Sequence, residues 1–174
     1  MSKWYLFILL ALPDWEYSPG DFEFTSWIIA GIVLSDGENL AEEGDLFAAF
    51  GPSYTCDDNG DNCVQDGGTE VRGVAVQLTP PFGPYEGQIL YEMTMGSNDG
   101  GDILSFKYYD VSEDAVLDIA ETYEFATNEQ QGDLTDALYY NIGSGAANDK
   151  GSNDNVLNVP LSAGTQSHEF LNAY

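Results

Sequence analysis

Basic side chains are nearly missing from this chain. Lys and Arg number 4 against 30 Asp and Glu, for a formal net charge of -26. That deficit excludes nucleic-acid binding by the bare chain, because phosphates are repelled, and it disfavours anionic membrane surfaces. The one histidine, His168, and the two cysteines, Cys56 and Cys63, are too few for a zinc site. A Gly-x-Ser-x-Gly elbow is absent and no Ser-His-Asp set is readable. Residues 143–145 (GSG) lack the following Gly-Lys-Ser/Thr of a phosphate loop. No Asn-x-Ser/Thr acceptor occurs, so N-linked glycosylation is not expected. No apolar run is long enough to span a bilayer as a helix, and none repeats every 3.6 residues. Carboxylate pairs, which a glycosidase needs, arise by chance among so many acids and assign no acid or base. The expectation is that the chain is not an enzyme.

What is present points to strands. A chain of 174 residues is one domain with extensions, able to bury about 70% of its unfolded surface. Hydrophobic residues make up 43%, with 11 Tyr and 9 Phe, which argues against disorder and favours sheet. The acidic surface suits divalent cations as partners; a solvated acidic coat for salty surroundings is the plainer reading.

Period-two apolar runs recur between turn signals. In the first, Phe22, Phe24, Ile28, Ala30, Ile32 and Leu34 are expected on one face. Residues 35–39 (SDGEN) read as a turn and 45–50 (DLFAAF) as a short apolar strand. Residues 51–69 read as a polar loop carrying both cysteines. Strands are expected at 70–79, 88–96, 103–110, 122–128 and 137–142, with a hairpin turn at 98–101 (NDGG). Residues 112–120 are open between a helical turn and an irregular strand. Residues 143–155 read as a linker, and 156–161 and 168–173 as short C-terminal strands. The fold class expected is all-β, an antiparallel β-sandwich of jelly-roll or Ig-like type. Its parts are an apolar N-terminal strand and hinge (1–20), the sandwich (21–143) and a C-terminal linker and tail (144–174).

The order FEFT, DGE, GDLFAAF, EVRGVA, PFGPY, GDILSFKYYD, ETYEFATNEQQGD, covering roughly two-thirds of the chain, resembles a β-sandwich module of secreted and cell-surface proteins from marine microalgae and bacteria. The resemblance implies a fold and a surface setting and brings no catalytic residue. The Cys56–Cys63 loop, the apolar N-terminus and the tail lie outside it.

Cys56 and Cys63, with six residues between them, suit a local disulfide and hence an oxidising compartment. Asp57, Asn59 and Asp61 alternate as in oxygen-rich calcium loops, with Asp66 as a further ligand. The EF-hand pattern is incomplete, since Gly68 stands where a bidentate Glu belongs. A solvated turn closed by a disulfide is the alternative. Asp36/Glu38/Asp45, Asp99/Asp102 and Asp110/Glu113/Asp114 sit at turns, where backbone conformation already explains them. Arg72, alone in a strand, is expected in an internal ion pair. Trp4, Trp15 and Trp27 are expected in packing rather than on a sugar-stacking face.

Residues 4–12 form a nine-residue apolar run after Lys3, like the front of a signal peptide, but no small-x-small cleavage site follows. Read as a strand, Trp4, Leu6, Ile8, Leu10 and Leu12 face one way and Tyr5, Phe7, Leu9 and Ala11 the other, so both faces need cover. Two placements stay open: the chain's own sheet, or a neighbouring copy's. Pro13, Ser18, Pro19 and Gly20 supply a hinge. The functional expectation is a secreted, self-assembling filament or sheath subunit of a cell-surface appendage, a homo-oligomer or polymer joined by strand donation and stabilised by calcium. The alternative is a module binding surface glycans.

Overall fold

The computed structural model describes residues 12–59 and 63–143. Two sheets pack face to face, and the described residues contain no α-helix. The strands are β1 (Phe24–Ser35), β2 (Glu38–Asn39), β3 (Leu46–Thr55), β4 (Val64–Val74), β5 (Val76–Leu78), β6 (Leu90–Ser97), β7 (Ile103–Asp110), β8 (Ala115–Glu124), β9 (Gln130–Gln131) and β10 (Leu138–Asn141). One sheet runs β10-β1-β6-β5, with β2 and β9 also on β1; the other runs β4-β3-β7-β8. This is the expected β-sandwich. Within it, β9 and β10 lie parallel to β1, a departure from a purely antiparallel pattern.

Turn chemistry explains the first hairpin. Asp36 and Gly37 both take positive φ, 51° and 86°, and Leu34↔Asn39 and Ser35↔Glu38 pair across them. That is the two-residue turn whose twist matches the strands. The turn at 98–101 behaves differently: β6 pairs with β1 and β5, and β7 with β3 and β8, so it carries the chain between sheets and closes no hairpin. The residues signal a reversal but do not say which strand each arm then pairs with. The chain changes sheet again at Ala75, between β4 and β5.

The expected polar loop at 51–69 is mostly paired strand. Gly51↔Glu70, Pro52↔Thr69, Tyr54↔Gln65 and Thr55↔Val64 extend β3 and β4 into a two-stranded arm. Pro52 is tolerated because β7 stops pairing with β3 at Phe50↔Ser105, so no ladder partner is lost there. Of residues 112–120, open between a helical turn and an irregular strand, 115–120 belong to β8, which runs on to Glu124 against β7 and so absorbs the start of the separate strand expected at 122–128.

The expected single face of the first strand divides. The β1–β6 register shifts between Ile28 and Gly31, and such a bulge reverses the alternation. Ile28 and Val33 enter the inter-sheet core, while Ala30 and Ile32 join Leu90 and Ala137 in a second cluster with Leu34, Leu78 and Tyr85. The main core is aromatic. Phe47, Phe106 and Tyr140 meet with ring centroids 4.9–5.5 Å apart, a geometry that adds to simple area burial.

Candidate functional site

The features with the most chemistry converge where the arm leaves the body. Cys56 and Cys63 are joined, as expected, directly beyond the Thr55↔Val64 pair. Along the arm, Asp66 accepts the hydroxyls of Ser53 and Thr55 and the N–H of Gly68. The Ser53 hydroxyl, then the Gly68 N–H, hold its carboxyl below the usual carboxylate value.

Beneath the arm, Arg72 is 1% exposed. Its guanidinium donates to Gly96 O (3.2 Å), Ser97 Oγ (2.9 Å) and Pro52 O, and lies 3.3 Å from Asp102 Oδ2. Its Nε stands 3.2 Å from Glu70 Oε1 but is not aligned as a hydrogen-bond donor. Asp102 also accepts Ser97 Oγ–H (2.6 Å) and Tyr54 O–H (2.8 Å). The internal ion pair expected for Arg72 is therefore present, in a network with few unmet groups. The Tyr54 hydroxyl accepts from Gln65, which favours ionisation; desolvation and the Asp102 carboxylate outweigh this and hold its pKa above the ordinary phenol value.

Residues 12–22 form a strap beside this network. Phe22 covers the Arg72 guanidinium at 4.8 Å and lies so close to Gly96 that a Cβ there would meet the ring at 2.6 Å. Tyr17 stacks on Phe22 (6.0 Å), and Trp15 meets Phe50 edge-on (5.4 Å). The stretch from Pro13 to Gly20, read as a hinge, thus carries two packed aromatics, Trp15 and Tyr17. Burial raises the Tyr17 pKa, and its hydroxyl has no hydrogen-bond partner.

Strap, arm and the 98–101 turn enclose a cleft of about 360 Å³, with Glu16, Asp21, Glu70 and Asp99 on its walls. Its lining is acidic, with hydroxyl, amide and disulfide groups between the carboxylates, and it disfavours anionic ligands.

Of the expected calcium ligands, Asp57 and Asn59 lie at the arm tip, where Asp57 Oδ1 accepts the Asn59 N–H (3.1 Å). Asp66 is farther down the arm in the bonds described above, and Asp61 lies outside the described residues. Among the described residues, no three His, Cys, Asp or Glu side chains are grouped to hold a metal. The turn carboxylates have structural partners: Asp45 accepts Tyr108 O–H and the N–H groups of Glu42 and Val111, and Asp110 accepts Ser112 and Glu113. Trp4, Leu6, Ile8 and Leu10 lie outside the described residues, as does His168; Leu12, at the boundary, is 58% exposed. Trp15 and Trp27 are half-buried. Sequence reasoning missed Phe22 as the cover of Arg72; its nearest signal was an aromatic beside a Pro-Gly turn.

No helix among the described residues is long and apolar enough to cross a membrane. Comparison with family models, curated proteins and solved structures finds no match.

Proposed function

We propose that the chain is an extracellular structural subunit that assembles with copies of itself into a filament or sheath. The leading apolar segment of one copy completes a sheet of the next, and calcium reduces repulsion between acidic surfaces. The observation that carries this reading is residues 4–12, apolar on both alternating faces in a chain of net charge -26. A strand of that kind needs cover on both sides, and an open sheet edge supplies main-chain partners for it. An exposed Leu12 just before the Trp15 anchor gives the segment a departure point from its own sandwich. The disulfide suits an oxidising, extracellular setting.

Calcium belongs at the arm tip in this reading, on Asp57, Asn59 and Asp61, with Asp66 using a lone pair its present donors leave free. Deleting residues 1–12 tests the assembly: the shortened chain keeps its far-ultraviolet circular dichroism and sediments as a monomer, while the full chain forms polymers that a calcium chelator weakens. Polymers of unchanged size from the shortened chain overturn the reading.

A second reading, a module that binds surface glycans, is favoured by Phe82 and Tyr139, 78% and 47% exposed. Such rings offer an apolar face with, for Tyr, a polar edge. Retention on immobilised polysaccharide, lost in Phe82→Ala and Tyr139→Ala, separates it from the first.

A further inference from the structure

Two tyrosine hydroxyls meet on the surface. Tyr85, in the loop between β5 and β6, and Tyr139, on β10, approach with their oxygens 3.5 Å apart. The Ala137 N–H donates to the Tyr85 oxygen at 3.0 Å, which fixes that oxygen and leaves it a second lone pair to accept the Tyr139 hydroxyl hydrogen. Tyr139 is 47% exposed, so its ring can turn and an outside oxidant can reach it. The hydrogen bond that the Tyr139 hydroxyl donates to the Tyr85 oxygen, and then desolvation, push the Tyr139 pKa up to about 12, so Tyr139 carries its proton at neutral pH.

We propose that Tyr85 and Tyr139 are an oxidative cross-linking site, joined as dityrosine within one chain by a haem peroxidase using hydrogen peroxide. Each phenol loses one electron and one proton and becomes a phenoxyl radical. The radicals couple through ring carbons ortho to the hydroxyls, the positions closest to the facing oxygens. Each coupled carbon then gives up its hydrogen as a proton while the oxygen regains one, which restores both aromatic rings. One carbon–carbon bond forms, two hydrogen atoms leave the protein, and one hydrogen peroxide becomes two waters.

The fold contains its own control. Tyr91 and Tyr108 also place their hydroxyls 3.5 Å apart, but both are fully buried, with rings at 88° and centroids 6.2 Å apart. Neither ring has room to bring its ortho carbon to the other, so this pair stays unmodified.

The product ties together positions 54 residues apart. It staples the β5–β6 loop to β10, a strand joined to β1 through four register pairs. Peeling of that edge then requires breaking a covalent bond, a property useful in a protein exposed outside cells. The coupling needs no assembly and stands apart from strand donation.

The test treats the full chain with a haem peroxidase and limiting hydrogen peroxide, then isolates the monomer. Dityrosine fluorescence is expected in that monomer, with a cross-linked peptide joining Tyr85 to Tyr139 and lighter by two hydrogen atoms. The signal is lost in Tyr139→Phe and in Tyr85→Phe, variants whose circular dichroism verifies folding, and Tm rises only in the coupled wild type. Absence of dityrosine from the monomer, a cross-link mapped to other tyrosines, or an undiminished signal in Tyr139→Phe overturns the proposal.

Discussion

Replacing Arg72 by Met gives the most informative test of how the arm is held to the sandwich. The substitution keeps much of the stem volume and removes the guanidinium, which bonds Gly96 O, Ser97 Oγ and Pro52 O and pairs with Asp102. Asp102, 8% exposed, is left a buried carboxylate with the Ser97 and Tyr54 hydroxyls as donors but no cation. Breaking a buried pair from one side costs about 3–5 kcal/mol. The two retained hydroxyl donors place the effect at the lower end, about 3 kcal/mol. Asp102→Asn is milder, about 2 kcal/mol, because Arg72 keeps its carbonyl acceptors and the half-exposed Glu70. Arg72→Met/Asp102→Leu removes both charges and costs less than the two single changes summed, a coupling that a double-mutant cycle reads directly. Urea unfolding followed by tyrosine fluorescence supplies the midpoints, and the loss changes little between low and high salt because the pair is screened by protein rather than ions. Single losses below about 1 kcal/mol that simply add would refute this account of the network.

Other outcomes follow from single contacts. Gly73→Ala sets a Cβ 2.6 Å from the Thr94 carbonyl oxygen, backbone that cannot yield cheaply, and is expected to lower stability by about 1–3 kcal/mol in the same assay. Lys107→Met breaks only the exposed pair with Asp118, 38% and 76% exposed, and costs about 0–1 kcal/mol, less still in high salt. Cys56→Ser/Cys63→Ser opens a loop with sequence separation 7; loop-closure entropy sets the loss at about 2 kcal/mol. Because the arm tip is exposed, it is expected as faster proteolysis there more than as a lower Tm. The Asp66 carboxyl, with its pKa depressed in the fold, contributes fully above the ordinary carboxylate value and loses that contribution as pH falls through the depressed one. Carboxyl NMR titration shows the low value, and Ser53→Ala moves it upward.

Legibility in the sequence followed how local the determining physics was. β7 matches its expected limits because Leu104, Phe106 and Tyr108 alternate into the core within one uninterrupted run. Asp36-Gly37 announced its own hairpin, since positive φ at both positions is written in those residue types. The arm was hidden because Asp66, Gly67 and Gly68 carry loop composition, while the pairs that flank them, Pro52↔Thr69 and Tyr54↔Gln65, are a long-range fact. The bulge after Ile28 left no mark in a run of apolar residues that fits either face. Arg72 was readable as a buried partner of some carboxylate; which carboxylate depended on the turn at 98–101 changing sheets, and that lies beyond any local pattern. The calcium ligand set was joined by spacing alone; that Asp66 accepts Ser53, Thr55 and Gly68 depends on the β3–β4 pairing, which no local pattern states.

Energy transfer between separately labelled copies tests the assembly most directly. One copy carries a donor dye at an engineered Ile8→Cys and the other an acceptor on the exposed outer position Val116→Cys, with the native Cys56–Cys63 bond intact. Strand donation predicts strong transfer between copies in the polymer, abolished by excess unlabelled chain added before assembly. Transfer that appears only when both dyes are on the same chain would contradict it.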